Sequence, residues 1–325
     1  MRNKNSVIME KMNIKYAKLG FYIKAETELI LPQYKGSTLR GGFGQVLKDV
    51  VCAIKKDCSD CILKSRCVYS YVFETEPLGS AEILNMSKYE RIPHPFILEP
   101  PEEERTVYPE GSNLSFNLIL IGNAVQYFPY FVFAFLELGR RGIGRKKGKY
   151  SIFQIMDLKD SRVVFTDERQ TLSEIEPSVI EIPDIPINDK EIRRVTLSLK
   201  TPLRLKFSRD LVVNLKFHML LRNLLRRLTL IYYFHCERQK PKWDTKALIR
   251  KAENVVTITS DTSWFDWERY SSRQSLKLKM GGLIGNITFE GELNSFLPIL
   301  KAGEILHAGK GTSFGLGRYE IVEIS

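Results

Sequence analysis

The sequence has 325 residues, of which 43% are hydrophobic and 11% aromatic, and its formal net charge is +11. This composition excludes a disordered chain, and the length suits two domains better than one. The excess of 49 Lys and Arg over 38 Asp and Glu favours a polyanionic partner, because each neutralised phosphate releases counterions. The opening residues mix Lys, Asn and Glu with apolar residues, so we expect no signal peptide and a cytoplasmic protein.

Hydrophobic periodicity predicts alternating strands and helices in the first half of the chain. The prolines and glutamates of the segment from Pro93 to Gly111 predict an irregular loop. The predicted strands are Ile14 to Ala25, Leu114 to Ile121 and Tyr150 to Leu158, and the predicted helices are Thr38 to Ala53 and Val125 to Leu138.

The segment from Leu118 to Leu138 is apolar enough to raise the question of a membrane span. Gly122 and Asn123 divide it, and Glu137 is charged, so the sequence predicts a buried strand followed by a buried helix. We therefore expect no contact with a membrane.

A segment rich in proline and acidic residues, Gln170 to Glu191, predicts the boundary between two domains, 1–190 and 191–325. Beyond it, Arg194 to Phe207 alternates apolar and polar residues as a half-buried strand does. Apolar residues at spacings of three and four from Phe217 to Tyr232 then predict an amphipathic helix.

The two halves share a weak internal repeat. Each contains a strand, a helix, a loop of glycines and basic residues, and a second strand, in that order. Duplicated ferredoxin-like (βαββαβ, RRM-like) domains would produce this order. The sequence therefore predicts an α+β fold with two tandem ferredoxin-like domains, the first with a cysteine-rich insertion at residues 52–67.

The loop between Leu138 and Tyr150 combines four glycines with six basic residues and no acid. Glycine lets backbone N–H groups approach a ligand closely, and neighbouring cations add charge, so the pattern is typical of phosphate binding. A solvated hairpin without a ligand is the alternative. The candidate RNA-binding residues here are Arg140, Arg141, Arg145, Lys146, Lys147 and Lys149.

A second loop, with its glycine-rich part at residues 309–317, follows His307. Lys310, Thr312, Ser313 and Arg318 can serve phosphates there. His307 beside Lys310 is a candidate proton-transfer group, and the alternative is that it only orders the loop.

Four cysteines lie within sixteen residues in the first half, and Cys236 lies apart in an apolar segment. Four thiolates with a central C-x2-C can close a structural zinc site. The same number suits a [4Fe–4S] cluster, and unliganded thiols are the third interpretation. The candidate ligands are Cys52, Cys58, Cys61 and Cys67.

The stretch GGLIGNITFEGELNSFLPILKAGEILHAGKGTSFGLGRYEI resembles the C-terminal signature of the CRISPR-associated endoribonucleases of the RAMP superfamily, which excise guide RNA from repeat transcripts. LPQYKGSTLRGGFGQVLKDVVC in the first half is similar to the same proteins. The resemblance implies two ferredoxin-like domains and metal-independent cleavage of precursor CRISPR RNA. The 2′-hydroxyl would attack in line and leave a 2′,3′-cyclic phosphate.

Many members of that family carry a histidine in or beside the first helix, where this chain has Gln45. We therefore take His307, Lys310 and Tyr34 as the candidate catalytic residues, with Arg40 and Lys48 as further RNA contacts. No cofactor for catalysis and no small-molecule substrate are implied. The alternative is a non-catalytic RAMP subunit that holds guide RNA in a CRISPR effector complex.

Overall fold

A computed structural model describes residues 11–54, 57–75, 84, 91–183, 191–271 and 276–325. The chain forms two compact units. The N-terminal unit is Lys15–Val179, and the C-terminal unit is Ile180–Ser325 together with the described residues up to Ile14. The division falls between residues 179 and 180, inside the proline- and acid-rich segment, whereas the sequence placed the boundary after residue 190.

The N-terminal unit begins within strand β1 and ends within β8. A short 3₁₀ helix, Lys64–Arg66, precedes α2, and a longer one, Gly122–Tyr127, precedes α3. The elements are β1 (Met12–Ala25), β2 (Leu29–Ile30), α1 (Gly36–Val51), α2 (Val68–Phe73), β3 (Phe96–Glu99), β4 (Val107–Tyr108), β5 (Asn113–Ile121), α3 (Phe128–Arg141), β6 (Tyr150–Asp157), β7 (Arg162–Thr166) and β8 (Ser178–Ile182).

Five of these strands pair antiparallel in the order β3-β5-β1-β6-β7. Helices α1 and α3 cover one face of this sheet. Phe43 of α1 stacks on Phe131 and Phe135 of α3, with ring centroids 4.9 and 4.8 Å away. Burial of these rings supplies much of the hydrophobic driving force for this layer.

The C-terminal unit begins its regular structure at β9. Its elements are β9 (Arg194–Leu203), β10 (Lys206–Phe207), β11 (Asp210–Leu211), α4 (Phe217–His235), α5 (Thr245–Glu253), β12 (Val256–Phe265), β13 (Glu268–Ser271), β14 (Leu276–Lys279), β15 (Gly282–Glu290), α6 (Leu297–Leu306), a 3₁₀ turn (Thr312–Phe314) and β16 (Tyr319–Ile324).

Its main sheet has the antiparallel order β12-β15-β9-β16. Helices α4 and α6 pack over this sheet, and Phe217 of α4 meets Phe289 of β15 and Phe296 before α6 at ring distances of 5.2 Å. The leucines of α4 that predicted an apolar face are buried. The α+β class is therefore confirmed.

The predicted loop from Pro93 to Gly111 is wrong in part, because it contains β3 and β4. The four residues of β3, Phe-Ile-Leu-Glu, are all buried. A strand buried on both faces shows no alternation, so the neighbouring prolines dominated the prediction. In the described part of the chain, no helix has the length and apolarity needed to cross a membrane.

Candidate nucleic-acid interface

The basic loop of the N-terminal unit is a hairpin held by main-chain hydrogen bonds. Gly142 ends α3 with φ +83°, and its N–H donates to the carbonyl of Leu138. A Cβ on Gly142 would lie 2.0 Å from the carbonyl oxygen of Lys147, so only glycine fits the turn. The N–H of Arg145 donates to the carbonyl of Ile30, which anchors the far side of the loop.

The six cations of this loop are all exposed, and three of them form ion pairs with nearby carboxylates. Arg141 binds Glu137 and Asp49 at 2.8 and 2.6 Å, and these hydrogen bonds raise the pKa of its guanidinium. Arg140 lies 3.9 Å from Glu137, and Lys146 binds Glu28 at 3.2 Å.

The other three cations, Arg145, Lys147 and Lys149, make no ion pair with any residue that the structure describes. Their positive charge therefore faces solvent on a rigid turn. Such a surface attracts polyanions without first having to break an internal ion pair.

The glycine-rich loop of the C-terminal unit is closed by main-chain hydrogen bonds. The N–H of Ala308 donates to Gly317, that of Gly317 to Pro202, and that of Lys310 to Arg204. A Cβ on Gly317, whose φ is +71°, would lie 1.7 Å from the carbonyl oxygen of Ala308. Both strands of the loop thus lie against the end of β9 and its continuation.

His307, the first candidate for proton transfer, lies inside this loop. Its side chain is 0% exposed, and its Nδ1 lies 3.1 Å from the carbonyl oxygen of Leu316. Its backbone has φ +58° and ψ 167°, a region that non-glycine residues rarely occupy. The placement favours the alternative interpretation, in which His307 orders the loop.

The other candidates in the glycine-rich loop differ in exposure. Thr312 and Ser313 are buried, which places their hydroxyls away from solvent, and Arg318 pairs with Glu320 at 2.8 Å. Lys310 is exposed. Of the candidates from 307 to 318, Lys310 is therefore the side chain best placed to meet a phosphate.

Two polar residues of α4 support this loop and were missed from the sequence. Asn223 accepts a hydrogen bond from the N–H of Gly309 at 2.7 Å. Arg227 donates through Nε to the carbonyl of Leu306 at 2.9 Å, and burial lowers the pKa of its guanidinium to about 9. Polar residues four apart in a leucine-rich helix are the signal that could have indicated them.

The candidates around α1 are held by aromatic side chains of α2. Arg40 lies over the ring of Phe73 at 4.8 Å, and Lys48 lies over Tyr69 at 5.6 Å. A Cβ on Gly44, between them, would come within 3.1 Å of Phe73. These cation–π contacts fasten α2 to α1.

Two further side chains complete the region around α1. Arg40 also lies 3.2 Å from Nε2 of His94, whose Nδ1 lies 3.1 Å from the carbonyl oxygen of Val72. The pKa of the Tyr34 hydroxyl is raised far above its usual value by burial and then by Glu99, so this phenol stays protonated at neutral pH. Gln45, by contrast, is exposed on α1.

The predicted metal site is not supported. All four cysteines of residues 52–67 are described, their thiols are free, and no group of three or more His, Cys, Asp or Glu in the described residues could hold a metal ion. Burial, and after it Glu74, Cys52 and Cys67, raise the pKa of the Cys58 thiol.

Comparison with known proteins gives matches along both units. Residues 14–177 match the family profile AF_1859_N, described as an N-terminal domain, and residues 197–319 match that of the CRISPR-associated endoribonuclease Cas6. An uncharacterized protein of Archaeoglobus fulgidus is 27% identical over 298 residues, which are 90% of this chain and 92% of that protein.

Solved structures with similar folds include a Cas6 product complex at 14% identity and TM-score 0.55, covering 94% of this chain and 98% of that one. Thermus thermophilus Cas6 has 13% identity and TM-score 0.52, with the same coverage. A partial Cas6-RT-Cas1–Cas2 complex has 14% identity and TM-score 0.57, and covers 96% of this chain and 46% of that one. At these identities the structures show the fold alone.

The fold, the glycine-rich loop and the profile matches together define a CRISPR-associated protein of the Cas6 type. Within that class, the chain belongs to the family of the AF_1859_N domain, whose profile spans half of its length, and the Cas6 domain follows in its second half. The resemblance drawn from the sequence is thereby confirmed.

Proposed function

We propose that this chain binds CRISPR repeat RNA and cuts precursor RNA into guide RNAs, as a metal-independent endoribonuclease of the cytoplasm. The observation that carries the proposal is the Cas6 match over 197–319, which includes the whole glycine-rich loop. The exposed cations Arg145, Lys147 and Lys149 support it, because they offer phosphates an unoccupied positive surface.

We also propose that both units are ferredoxin-like. In each unit the elements run strand, helix, strand, strand, helix, strand, and additional elements lie between them. The four main strands have the spatial order β6-β1-β5-β3 in the N-terminal unit and β16-β9-β15-β12 in the C-terminal unit. In both, the first strand lies between the last and the third, which is the arrangement that a duplicated βαββαβ domain requires. The cysteines of residues 52–67 fall between the first helix and the second strand, as an insertion would.

The chemistry that this function needs is modest. The 2′-hydroxyl next to the scissile phosphate attacks the phosphorus in line, the 5′-oxygen leaves, and a 2′,3′-cyclic phosphate and a 5′-hydroxyl result. The protein has to fix the in-line geometry and stabilise the charge of the phosphorane. We assign the charge stabilisation to the exposed Lys310, and we assign the shape of the loop around it to His307 and Asn223.

A second candidate function is a non-catalytic RAMP subunit that holds guide RNA in a CRISPR effector complex. The burial of His307 and the raised pKa of Tyr34 favour it, because neither group is ready to transfer a proton. Gln45 in α1 points the same way, since an amide cannot act as a base at neutral pH.

A cleavage assay separates these two functions. We expect purified protein with 5′-labelled repeat RNA in excess EDTA to yield one product that ends in a 2′,3′-cyclic phosphate. Treatment with acid or with a cyclic-phosphate-opening phosphatase should shift that product on a gel, whereas a 3′-hydroxyl end would not shift. Tight binding with intact RNA after long incubation would instead support the subunit, and no preference for repeat RNA over unrelated RNA would contradict both.

The basic loop should account for part of the salt dependence of RNA binding. Changing Arg145 and Lys147 together to Ala is expected to reduce the slope of log K against log salt by about 1.5, because each phosphate contact contributes about 0.7 to 0.9. A matched control changes Lys159 and Arg162 in the turn at the other end of β6 to Ala, and should leave the slope unchanged. Equal slopes for both variants would show that the loop meets no phosphate.

A further inference from the structure

Two aromatic side chains lie together on the face of the N-terminal sheet opposite α1 and α3. Leu19, Phe21 and Ile23 of β1 point into the helix-covered core. Because side chains alternate along a strand, Tyr22 points to the opposite face. Its ring centroid lies 6.2 Å from that of Phe153 on the neighbouring strand β6, at an interplanar angle of 47°.

Two features of the backbone position this pair, a bulge in β6 and a glycine in β1. Opposite Tyr22 and Ile23, the register of β1 and β6 shifts, so that Phe153 is the extra residue between Ile152 and Gln154. Such bulges redirect side chains, and Phe153 remains 37% exposed. A Cβ on Gly20 would come within 3.2 Å of the Tyr22 ring, so that ring lies along the sheet above a residue without a side chain.

The surroundings of the pair are mostly polar. The exposed residue Asp167, whose N–H donates to the carbonyl of Phe153 at 3.3 Å, is the acidic neighbour on the strand side of β7. Ser115 of β5 and Gln154 of β6 are the direct neighbours of Tyr22 across the sheet, and Lys24 is exposed two residues further along β1. The nearby carboxylate of Glu99 is 3% exposed and bound by Lys18 at 2.9 Å and by Asn117 at 2.9 Å. The negative charge of Glu99 is therefore compensated within the protein by Lys18 and Asn117.

Two further acidic residues lie beyond Lys24. A wide depression of about 540 Å³ opens there, lined by Lys24, Ala25, Glu26, Glu110, Gly111 and Ser151. Glu26 and Glu110 repel phosphates. A nucleotide strand is therefore expected to place its bases on the rings and its phosphates away from this depression.

We propose that Tyr22 and Phe153 form a stacking platform for one or two unpaired bases of the RNA. This assignment rests on the proposed function and names a second contact region for the same ligand. Exposed aromatic rings on a sheet are suited to single-stranded RNA because every base has a π-face, and the polar side chains of Ser115 and Gln154 can meet base edges. A protein partner on the same face is the competing occupant.

The test is a thermodynamic cycle between protein and RNA. Affinities of repeat RNA are measured for the wild type, Phe153→Leu, Tyr22→Ala and Tyr22→Phe, and for RNAs with one abasic nucleotide at each unpaired position in turn. Phe153→Leu keeps the apolar volume without the π-face. Phe133→Ala, which removes an exposed ring from α3, is the matched control.

We expect Phe153→Leu and Tyr22→Ala to weaken binding roughly 5- to 100-fold, and Tyr22→Phe and the control to bind normally. An abasic nucleotide at one or two adjacent positions should weaken wild-type binding to a similar extent, and should add nothing in the Tyr22→Ala protein. Unchanged affinity of the variants, or additive losses at every position, would overturn the platform and leave a protein partner as its occupant. Cleavage by the wild type in those experiments would keep the proposed function intact, whereas wild-type protein that neither binds nor cuts repeat RNA would refute that function first.

Discussion

Gln45→His is expected to raise the rate of repeat-RNA cleavage by about two to four orders of magnitude, the usual contribution of one proton-transfer group. Gln45 is exposed on α1. It stands where the resemblance drawn from the sequence implies a histidine. An imidazole at this position titrates near pH 6.5, so it can remove the proton of the 2′-hydroxyl, which the amide cannot.

The measurement is a single-turnover rate at saturating protein, taken from pH 5 to pH 9. The Gln45→His rate should rise with pH through an apparent pKa near 6.5 and then level, whereas the wild-type rate should lack that step. Gln45→Asn is the matched control because it keeps an amide, and it should cut at the wild-type rate. Equal rates for all three proteins would show that proton transfer at this position does not limit cleavage.

His307→Ala is expected to lower the free energy of unfolding by about 2 to 4 kcal/mol, because a buried ring and its hydrogen bond to Leu316 are lost. His307→Gly loses the same ring, but glycine adopts the φ of +58° at this position with less backbone strain. It should therefore be more stable than the alanine variant by about 1 to 2 kcal/mol.

Urea unfolding at constant pH measures both differences, and RNA cleavage is measured on the same samples below the unfolding transition. If His307 only orders the loop, cleavage and RNA affinity should fall together, less in His307→Gly than in His307→Ala. An unchanged stability with cleavage reduced by two to four orders of magnitude, at normal RNA affinity, would instead make His307 the proton-transfer group.

Periodicity predicted the elements whose burial is one-sided. Strand β1, helix α1 and helix α4 each present one apolar face, and their observed bounds lie within two or three residues of the predicted ones. Strand β3 escaped prediction because it is buried on both faces and lies among prolines. Its position became clear only from its pairing with β5, a contact between residues distant in the sequence.

In the candidate site, the residue types indicate the loops but not the burial or the contacts of their side chains. The sequence identified both glycine-containing loops, because glycine and charge are visible without a structure. It could not show that His307 lies inside its loop or that Arg227 is buried below it. Nor could it show that the aromatic rings of α2 contact Arg40 and Lys48. Each of these facts depends on which neighbour the fold supplies, and spacing along the chain contains no such information.

The main-chain closure of the glycine-rich loop has a consequence for how this protein can diversify. The bonds from Ala308, Lys310 and Gly317 use only N–H and C=O groups, so they hold for almost any side chain at the exposed position 310. Substitutions there can alter ligand preference at little cost to the architecture. The glycines cannot change so freely, and recognition can therefore evolve on a scaffold whose shape stays constant.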